Sequence, residues 1–214
     1  MKTKFFLLSL LFIGLFTIYS YTVAKETWTK TDFDTTVKLQ DHISRRFDKY
    51  FSYFSILGSA EVTVSFCALM IIWSLIRLKF LQVLGWLMII PASLAEVFGK
   101  LVLFHPAPPN FLHRTILPTG LPSFYVHTDF SYPSGHMTRT IFIITIFICL
   151  AIFQSKNQLV KLISISSLMT LAFLIMLTRI YLGEHWTSDV IGGSVLGVAV
   201  GLFATGLILR TKKV

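Results

Sequence analysis

Six long apolar stretches, separated by short polar segments, dominate the hydrophobic pattern of the chain. Some are shorter than the ~20 residues that a membrane-spanning helix needs, but their flanks extend them. The pattern therefore predicts an all-α fold, an integral membrane bundle of six transmembrane helices forming one domain over residues 1–214. The predicted helices lie near 5–24, 58–78, 80–103, 136–155, 160–180 and 187–209.

The first apolar stretch imitates a secretory signal peptide. It follows Lys2 and Lys4, and Thr22-Val23-Ala24 resembles a cleavage site. Its apolar run is longer than the ~7–15 residues of a typical signal core, which favours a retained first helix.

Residues 32–59 mix charges with apolar residues at near-helical spacing, which predicts an extracytoplasmic amphipathic helix. A helix lying on the membrane surface and a helix packed onto neighbouring helix ends fit this pattern equally well. The apolar positions are Val37, Leu39, Ile43, Phe47, Tyr50, Phe51 and Phe54.

Two later features concern loops and packing. Residues 105–135 form a long connection rich in proline, glycine and aromatic residues, which we interpret as an active-site loop. The last predicted helix carries Gly193, Gly197 and Gly201 at four-residue spacing, which allows close helix approach. Packing within the bundle is favoured over dimerisation, and the oligomeric state is not determined by the sequence.

Composition supports the membrane interpretation. The chain is 54% apolar and only 14% charged, with a mean hydropathy of +0.73. Its net charge of +9 comes from Lys and Arg that bracket apolar runs rather than form a basic patch, so the charge indicates membrane topology and no nucleic-acid partner. Cys67 and Cys149 lie inside apolar runs, which predicts buried, inert thiols.

The spacing of charged residues predicts that several polar side chains share one membrane face. The intervals Lys79–Lys100, His136–Lys156, Lys161–Arg179 and Asp189–Arg210 each span about 30 Å as helix, which is one hydrocarbon thickness. The face that carries the short basic loops is then cytoplasmic. The opposite face, with the polar cluster, is extracytoplasmic, and we expect a multi-pass protein of the plasma membrane.

Three sequence blocks converge on that outer face: "KLVLFHPAPP" from Lys100, "YPSGHMTR" over 132–139 and "TRIYLGEHWTSD" over 178–189. If the last helix begins near His185, Asp189 follows on the same helical face and can hold the imidazole tautomer. Arg179 supplies a planar fork suited to phosphate oxygens.

The second block predicts an anion site. Pro133-Ser134-Gly135 forms a tight turn at a helix N-terminus, where backbone N–H groups and the Ser134 hydroxyl point at an anion. His136 can serve as a general acid, and Lys100 adds a cation. Singly, these residues are explained as interfacial anchors or helix caps. Together they favour phosphoryl transfer through a phosphohistidine, which needs no metal or cofactor.

The three blocks resemble the signature motifs of the type 2 phosphatidic acid phosphatase superfamily, membrane lipid phosphatases that share a pocket with vanadium haloperoxidases. The family pattern is Lys, six residues, Arg-Pro; then Pro-Ser-Gly-His; then Ser-Arg, five residues, His, three residues, Asp. The resemblance covers roughly 100–189, with Thr178 in place of the serine. It implies that His185 is the nucleophile, Asp189 its orienting partner and His136 the acid. The phosphate-binding residues would be Lys100, Ser134, Gly135 and Arg179.

One position departs from the family pattern. The motif arginine is replaced by Ala107, so one phosphate-binding cation is missing. Our hypothesis is that Arg139 fills its role, because it lies at i+3 from His136 on the same helical face. Arg114 and His105 are the next candidates.

Two glutamates lie beside the motifs. Glu96 is placed to pair with Lys100 at i,i+4 or to be a solvated helix end, and the two interpretations are equally good. Glu184 as a second base is the less favoured role for that residue.

The predicted function is hydrolysis of a lipid phosphate monoester or diphosphate at the outer leaflet, with phosphatidylglycerophosphate, phosphatidic acid and polyprenyl diphosphates as candidate substrates. A lipid phosphotransferase would use the same residues, and a catalytically weak lipid-binding relative is favoured only by Ala107. A product assay with and without an acceptor separates hydrolysis from transfer. Phosphate release from a lipid panel by the wild type and His185→Ala separates an enzyme from a lipid-binding protein.

Overall fold

The computed structural model describes residues 2–117 and 129–209, which are almost entirely helical. In this part of the chain the helices are α1 Lys2–Ala24, α2 Thr29–His42, α3 Asp48–Ser55, α4 Ala60–Ile76, α5 Phe80–Leu87, α6 Ile89–Val102, α7 Gly135–Gln154, α8 Gln158–Tyr181 and α9 Thr187–Ile208. Short 3₁₀ turns lie at Arg45–Phe47, Ile56–Gly58 and Asn110–Leu112. Residues 118–128 of the predicted active-site loop lie outside the described residues.

Six helical stretches in the described residues are long and apolar enough to cross a membrane, which confirms the predicted all-α, six-helix membrane fold. They are Lys2–Ala24, Arg45–Ile76, Phe80–Val102, Gly135–Gln154, Gln158–Tyr181 and Thr187–Ile208. The third consists of α5 and α6 with a break at Met88. Pro91, which has no N–H to donate, lies in the first turn of α6, where a helix tolerates it.

Helices α7 and α9 form the centre of the bundle, and α1 packs along α9. Ser9 Oγ in α1 donates to the Ala199 carbonyl at 2.8 Å, and the Phe6 and Phe203 rings contact each other at 5.0 Å. Much of the outer surface of α1, α4, α5 and α8 consists of exposed Leu, Ile and Phe side chains. This is the pattern of a bundle whose solvent is lipid.

The glycines of α9 allow this helix to lie directly on α7, which confirms packing within the bundle. A Cβ at Gly197 would be 2.6 Å from the Thr138 carbonyl oxygen, and one at Gly201 would be 2.7 Å from Thr145 Cβ. The two backbones are therefore as close as residues without side chains permit. The contact fixes the start of α7 beside the start of α9.

The predicted amphipathic segment forms two helices rather than one. Helices α2 and α3 pack onto the ends of α8 and α9, so the second of the two interpretations is the correct one. The side of α2 that is buried carries polar residues, namely Asp32, Thr36 and Gln40. Of the predicted apolar positions, Leu39 and Phe54 pack on the core, whereas Phe47 and Tyr50 are exposed. The apolar pattern therefore identified only part of the contact face.

Candidate active site

Four helix ends meet at one end of the bundle and carry the predicted site residues. Lys100 lies in the last turn of α6, His136 in the first turn of α7, Arg179 in the last turn of α8 and Asp189 in the first turn of α9. The structure thus brings together residues that are up to 89 positions apart in sequence. All eight predicted site residues are buried: Lys100, Ser134, Gly135, His136, Arg139, Arg179, His185 and Asp189.

His185 and Asp189 form a buried pair. His185 Nδ1 lies 3.3 Å from Asp189 Oδ2, which also accepts a 2.9 Å hydrogen bond from the Trp186 backbone N–H. Since a carboxylate accepts, the His185 proton is on Nδ1 and the Nε2 lone pair is free. Burial, and then the positive charges of Arg179 and Lys100, hold the pKa of His185 well below its ordinary value. The ring is therefore neutral near pH 7, as a nucleophile must be.

The turn before α7 has the geometry of an anion site. Ser134 is the N-cap residue of α7, and its backbone N–H donates to the Asp189 carbonyl at 3.0 Å, which ties the turn to α9. A Cβ at Gly135 would collide with the Glu96 carboxylate, so an anionic group already lies against this helix N-terminus. Only glycine permits so close an approach, and the helix dipole favours negative charge there.

Glu96 joins two of the predicted phosphate-binding cations. Its Oε1 accepts a 2.9 Å bond from Lys100 Nζ, and its Oε2 lies 2.5 Å from Arg139 Nη1. The i,i+4 pair of Glu96 and Lys100 is thereby confirmed over a solvated helix end. Arg139 lies beside Lys100, as our hypothesis for the missing arginine requires.

Arg179 is also held by its own chain. Its Nη1 donates to Ser55 Oγ at 2.5 Å, and its Nη2 forms an ion pair with Glu184. Thr115 donates to the same carboxylate. Although burial opposes ionisation, the charge of Arg179 brings the pKa of Glu184 below its ordinary value, so Glu184 is a carboxylate. This contact makes Glu184 an anchor for Arg179.

Three buried donors of the predicted site residues have no hydrogen-bond partner among the described residues: Ser134 Oγ, Arg139 Nε and Arg179 Nε. A buried donor without a partner costs roughly 1–3 kcal/mol. The positive charges of Arg179, Arg139 and Lys100 also act on His136. Donors, cations and a neutral histidine together suit a tetrahedral oxyanion such as phosphate.

The two other candidates for the missing arginine, Arg114 and His105, have different contacts. Arg114 donates to Tyr181 Oη at 3.1 Å and to the Ile43 carbonyl at 3.4 Å, so it fixes the loop to α8. His105 Nε2 lies 3.6 Å from Asp189 Oδ1, on the carboxylate oxygen that does not face His185. Ala107 pairs through its backbone N–H with the Asp129 carbonyl at 3.0 Å.

Three residues near the site were not among the predicted site residues. Asp32 and Ser188 contact each other beside Asp189, and Ser55 contacts Arg179. The signal for Asp32 is the polar repeat with Thr36 and Gln40, which marks a buried polar face at helical spacing. An isolated serine carries no comparable signal.

The chain is similar to several known proteins. The family profile described as PAP2 superfamily matches residues 87–213. An undecaprenyl-diphosphatase of Sulfolobus acidocaldarius is 28% identical over 174 residues, covering 75% of this chain and 73% of that protein. Among solved structures, a PAP2-type phosphatidylglycerolphosphate phosphatase of Bacillus subtilis superposes with a TM-score of 0.73 at 17% identity, covering 92% of this chain and 94% of its own. The structure of Aquifex aeolicus LpxE superposes with a TM-score of 0.56 at 23% identity, covering 81% of this chain and 94% of the LpxE chain.

Proposed function

Because the chain belongs to the PAP2 superfamily, we propose that it is a membrane phosphatase that hydrolyses a phosphate monoester or diphosphate group of a lipid. The undecaprenyl-diphosphatase and phosphatidylglycerolphosphate phosphatase among its relatives support a lipid substrate. The expected partners are this lipid and the membrane itself.

A cleft between α4 and α6 is the observation that carries this proposal. It has a volume of about 320 Å³, and its walls are mostly apolar, including Ala60 and Val64 of α4 and Ile90 of α6. The same cleft is lined at its charged end by Glu96, Lys100 and Arg139. A groove with apolar walls and a cationic end matches a lipid that carries a phosphate. The lipid tail would enter sideways from the bilayer.

The site residues support a two-step reaction. His185 Nε2 attacks phosphorus, and the bond from phosphorus to the lipid oxygen breaks. His136, which takes up a proton when the anionic phosphate binds beside it, donates that proton to the leaving oxygen. Asp189 stabilises the resulting imidazolium through Nδ1–H. Water then attacks the phosphohistidine, His136 takes its proton, and phosphate leaves. Lys100, Ser134, Gly135, Arg179 and Arg139 hold the phosphoryl oxygens throughout, so the route runs on side chains and backbone alone.

The site lies in the outer leaflet in this proposal. Helix α7 begins at the site, and the connection at its other end carries Lys156 and, in the first turn of α8, Lys161. Short basic loops favour the cytoplasmic side. The opposite end, with His185, is then extracytoplasmic.

Phosphate release from phosphatidic acid, phosphatidylglycerophosphate and a polyprenyl diphosphate tests the function. We expect the wild type to act on at least one of them and His185→Ala to lose roughly 10³-fold or more in kcat. His42→Ala, which changes an exposed histidine of α2, is the matched control. Activity that survives in His185→Ala contradicts the mechanism, and no release by the wild type contradicts the function. Assays with and without an alcohol acceptor separate hydrolysis from transfer.

A further inference from the structure

A second histidine–carboxylate cluster lies directly behind the proposed catalytic pair. His105, from the connection after α6, lies between Asp189 of α9 and Asp32 of α2. Its Nε2 is 3.6 Å from Asp189 Oδ1, 3.9 Å from Asp32 Oδ2 and 3.3 Å from Ser188 Oγ. All four side chains are at least nine-tenths buried. Asp32 lies outside residues 87–213, which the family profile matches.

The hydrogen bonds of this cluster have a defined direction. Asp32 Oδ1 accepts from the Ser188 backbone N–H at 2.8 Å, and Oδ2 accepts from the Ser188 hydroxyl at 2.6 Å. Because that hydroxyl proton is given to Asp32, the Ser188 oxygen is left as an acceptor toward His105. His105 Nε2 therefore carries a proton, which faces Ser188 Oγ at 3.3 Å. Asp189 Oδ1, a buried oxygen with no hydrogen-bond partner among the described residues, lies 3.6 Å from the same nitrogen.

We propose that Asp32, Ser188 and His105 form a positioning relay that presents an N–H donor to the rear oxygen of Asp189, and so holds Asp189 in the orientation that His185 requires. This inference rests on the proposed function of His185 as nucleophile. Asp32 of α2 is thereby a positioning residue of the proposed active site, although it precedes every family motif in sequence.

Helix capping alone does not account for a carboxylate at this position. A neutral residue caps a helix about as well as Asp, and a buried charge carries a desolvation penalty that a neutral cap avoids. Burial raises the pKa of Asp32, and the two bonds from Ser188 oppose that rise. The negative charge of Asp189 disfavours the ionised form of Asp32, and His105 favours it. Tyr19 and Tyr132 are the other titratable groups that face the cluster, and Lys100 acts on Asp189.

Asp32→Asn is the sharpest test, because it keeps the size of the side chain and one acceptor for the Ser188 N–H. The side-chain N–H₂ of the Asp32→Asn variant would donate to the Ser188 hydroxyl oxygen. The Ser188 hydroxyl must then direct its proton toward His105, which reverses the direction of the hydrogen bond between Ser188 and His105. We expect kcat to fall about tenfold with KM changed less than twofold, in the range seen for groups that orient a ligand from behind. The kcat of His105→Ala should fall by a similar factor. His105→Gln keeps an N–H donor near the Nε2 position and should stay within about threefold of the wild type.

A second readout is independent of the lipid. Orthovanadate is a phosphate mimic that bonds to a histidine nitrogen, and its binding to the full-length protein is measured by calorimetry. We expect about tenfold weaker vanadate binding in Asp32→Asn. Ser188→Ala interrupts the same series of hydrogen bonds, should show the same loss, and replaces Asp32→Asn as the test if that variant does not fold. Asp41→Asn, an exposed change in α2, is the matched control and should leave both readouts unchanged.

The outcomes separate the relay from the function. Wild-type turnover and vanadate affinity in a folded Asp32→Asn would overturn the relay, as would equal losses in His105→Gln and His105→Ala. A wild type that releases phosphate from none of the lipids but binds vanadate contradicts the proposed substrate, and its Asp32→Asn variant still tests the relay. No vanadate binding by the wild type overturns the relay together with the nucleophile.

Discussion

At the scale of single residues, the proposed phosphate site is already electrostatically organised by the protein. Lys100 and Arg139 share the carboxylate of Glu96, and Arg179 pairs with Glu184. These contacts hold three long, rotamer-rich side chains in one place before an anion arrives, which lowers the entropic cost of binding it.

Arg139→Ala tests whether this residue replaces the arginine that Ala107 lacks. We expect kcat on a lipid phosphate to fall about 10²-fold, because a charged donor to the developing phosphoryl charge is lost in a buried site. Arg139→Lys keeps the charge without the planar fork and should recover only part of the activity. Arg46→Ala removes an exposed arginine and serves as the control. Unchanged turnover in Arg139→Ala would refute the hypothesis.

The protonation of His185 predicts the acidic side of the pH profile. The proposed nucleophile is the neutral ring, and burial together with Arg179 and Lys100 lowers the pKa of His185. The ring therefore stays neutral as the pH falls past 6.5, the ordinary value for histidine, so kcat/KM should hold down to that pH and decline only below it. An acidic limb centred at or above pH 6.5 would contradict this.

Glu184→Gln should shift the same pH profile, because Glu184 acts on His185. The negative charge of Glu184 favours the charged form of His185 and raises its pKa. Removing that charge lowers the pKa further, so the acidic limb should move to lower pH. KM should rise in the same variant, because Arg179 loses its ion pair with Glu184. A shift of the limb to higher pH would show that Glu184 acts on another group.

At the scale of the helices, the contact of α7 with α9 is the one that aligns the site. Gly197→Ala places a methyl group 2.6 Å from the Thr138 carbonyl oxygen and 2.9 Å from Ile141 Cβ, so one backbone must shift. We expect a loss of roughly 1–3 kcal/mol in stability and a lower Tm by thermal unfolding in detergent. Gly14→Ala in α1 meets nothing within 4 Å and should be neutral or up to ~1 kcal/mol stabilising. Equal Tm values for the two variants would contradict the close packing.

The same scale shows what the sequence could predict. The apolar runs and 30 Å spacings were sufficient for the spanning helices and for the convergence of Lys100, His136, Arg179 and Asp189, because a bilayer constrains helix length strongly. The apolar runs and spacings did not predict the bounds or the buried faces of α2 and α3. There the buried face carries Asp32 and Gln40, whose hydrogen bonds to α9, to the loop at Leu112 and to Tyr181 are tertiary contacts that no local apolar pattern encodes.

At the scale of the whole molecule, all the proposed chemistry lies at one end of the bundle, and the orientation of that end decides which leaflet supplies the substrate. Asn110 is exposed in the connection beside the site, and Asn157 is exposed between α7 and α8 at the opposite end. The basic residues near Asn157 favour the cytoplasm for that end. Asn110 should therefore face outward.

Cysteine accessibility checks this orientation with a matched pair of variants. Asn110→Cys should react with a membrane-impermeant maleimide in intact cells, whereas Asn157→Cys should react only after lysis. The wild type is the background control, because Cys67 and Cys149 are both buried and should remain unlabelled in intact cells. Labelling of Asn157→Cys but not of Asn110→Cys in intact cells would show that the protein has the opposite orientation in the membrane. The site would then act on the cytoplasmic leaflet with the same residues, so only the source of the lipid would change.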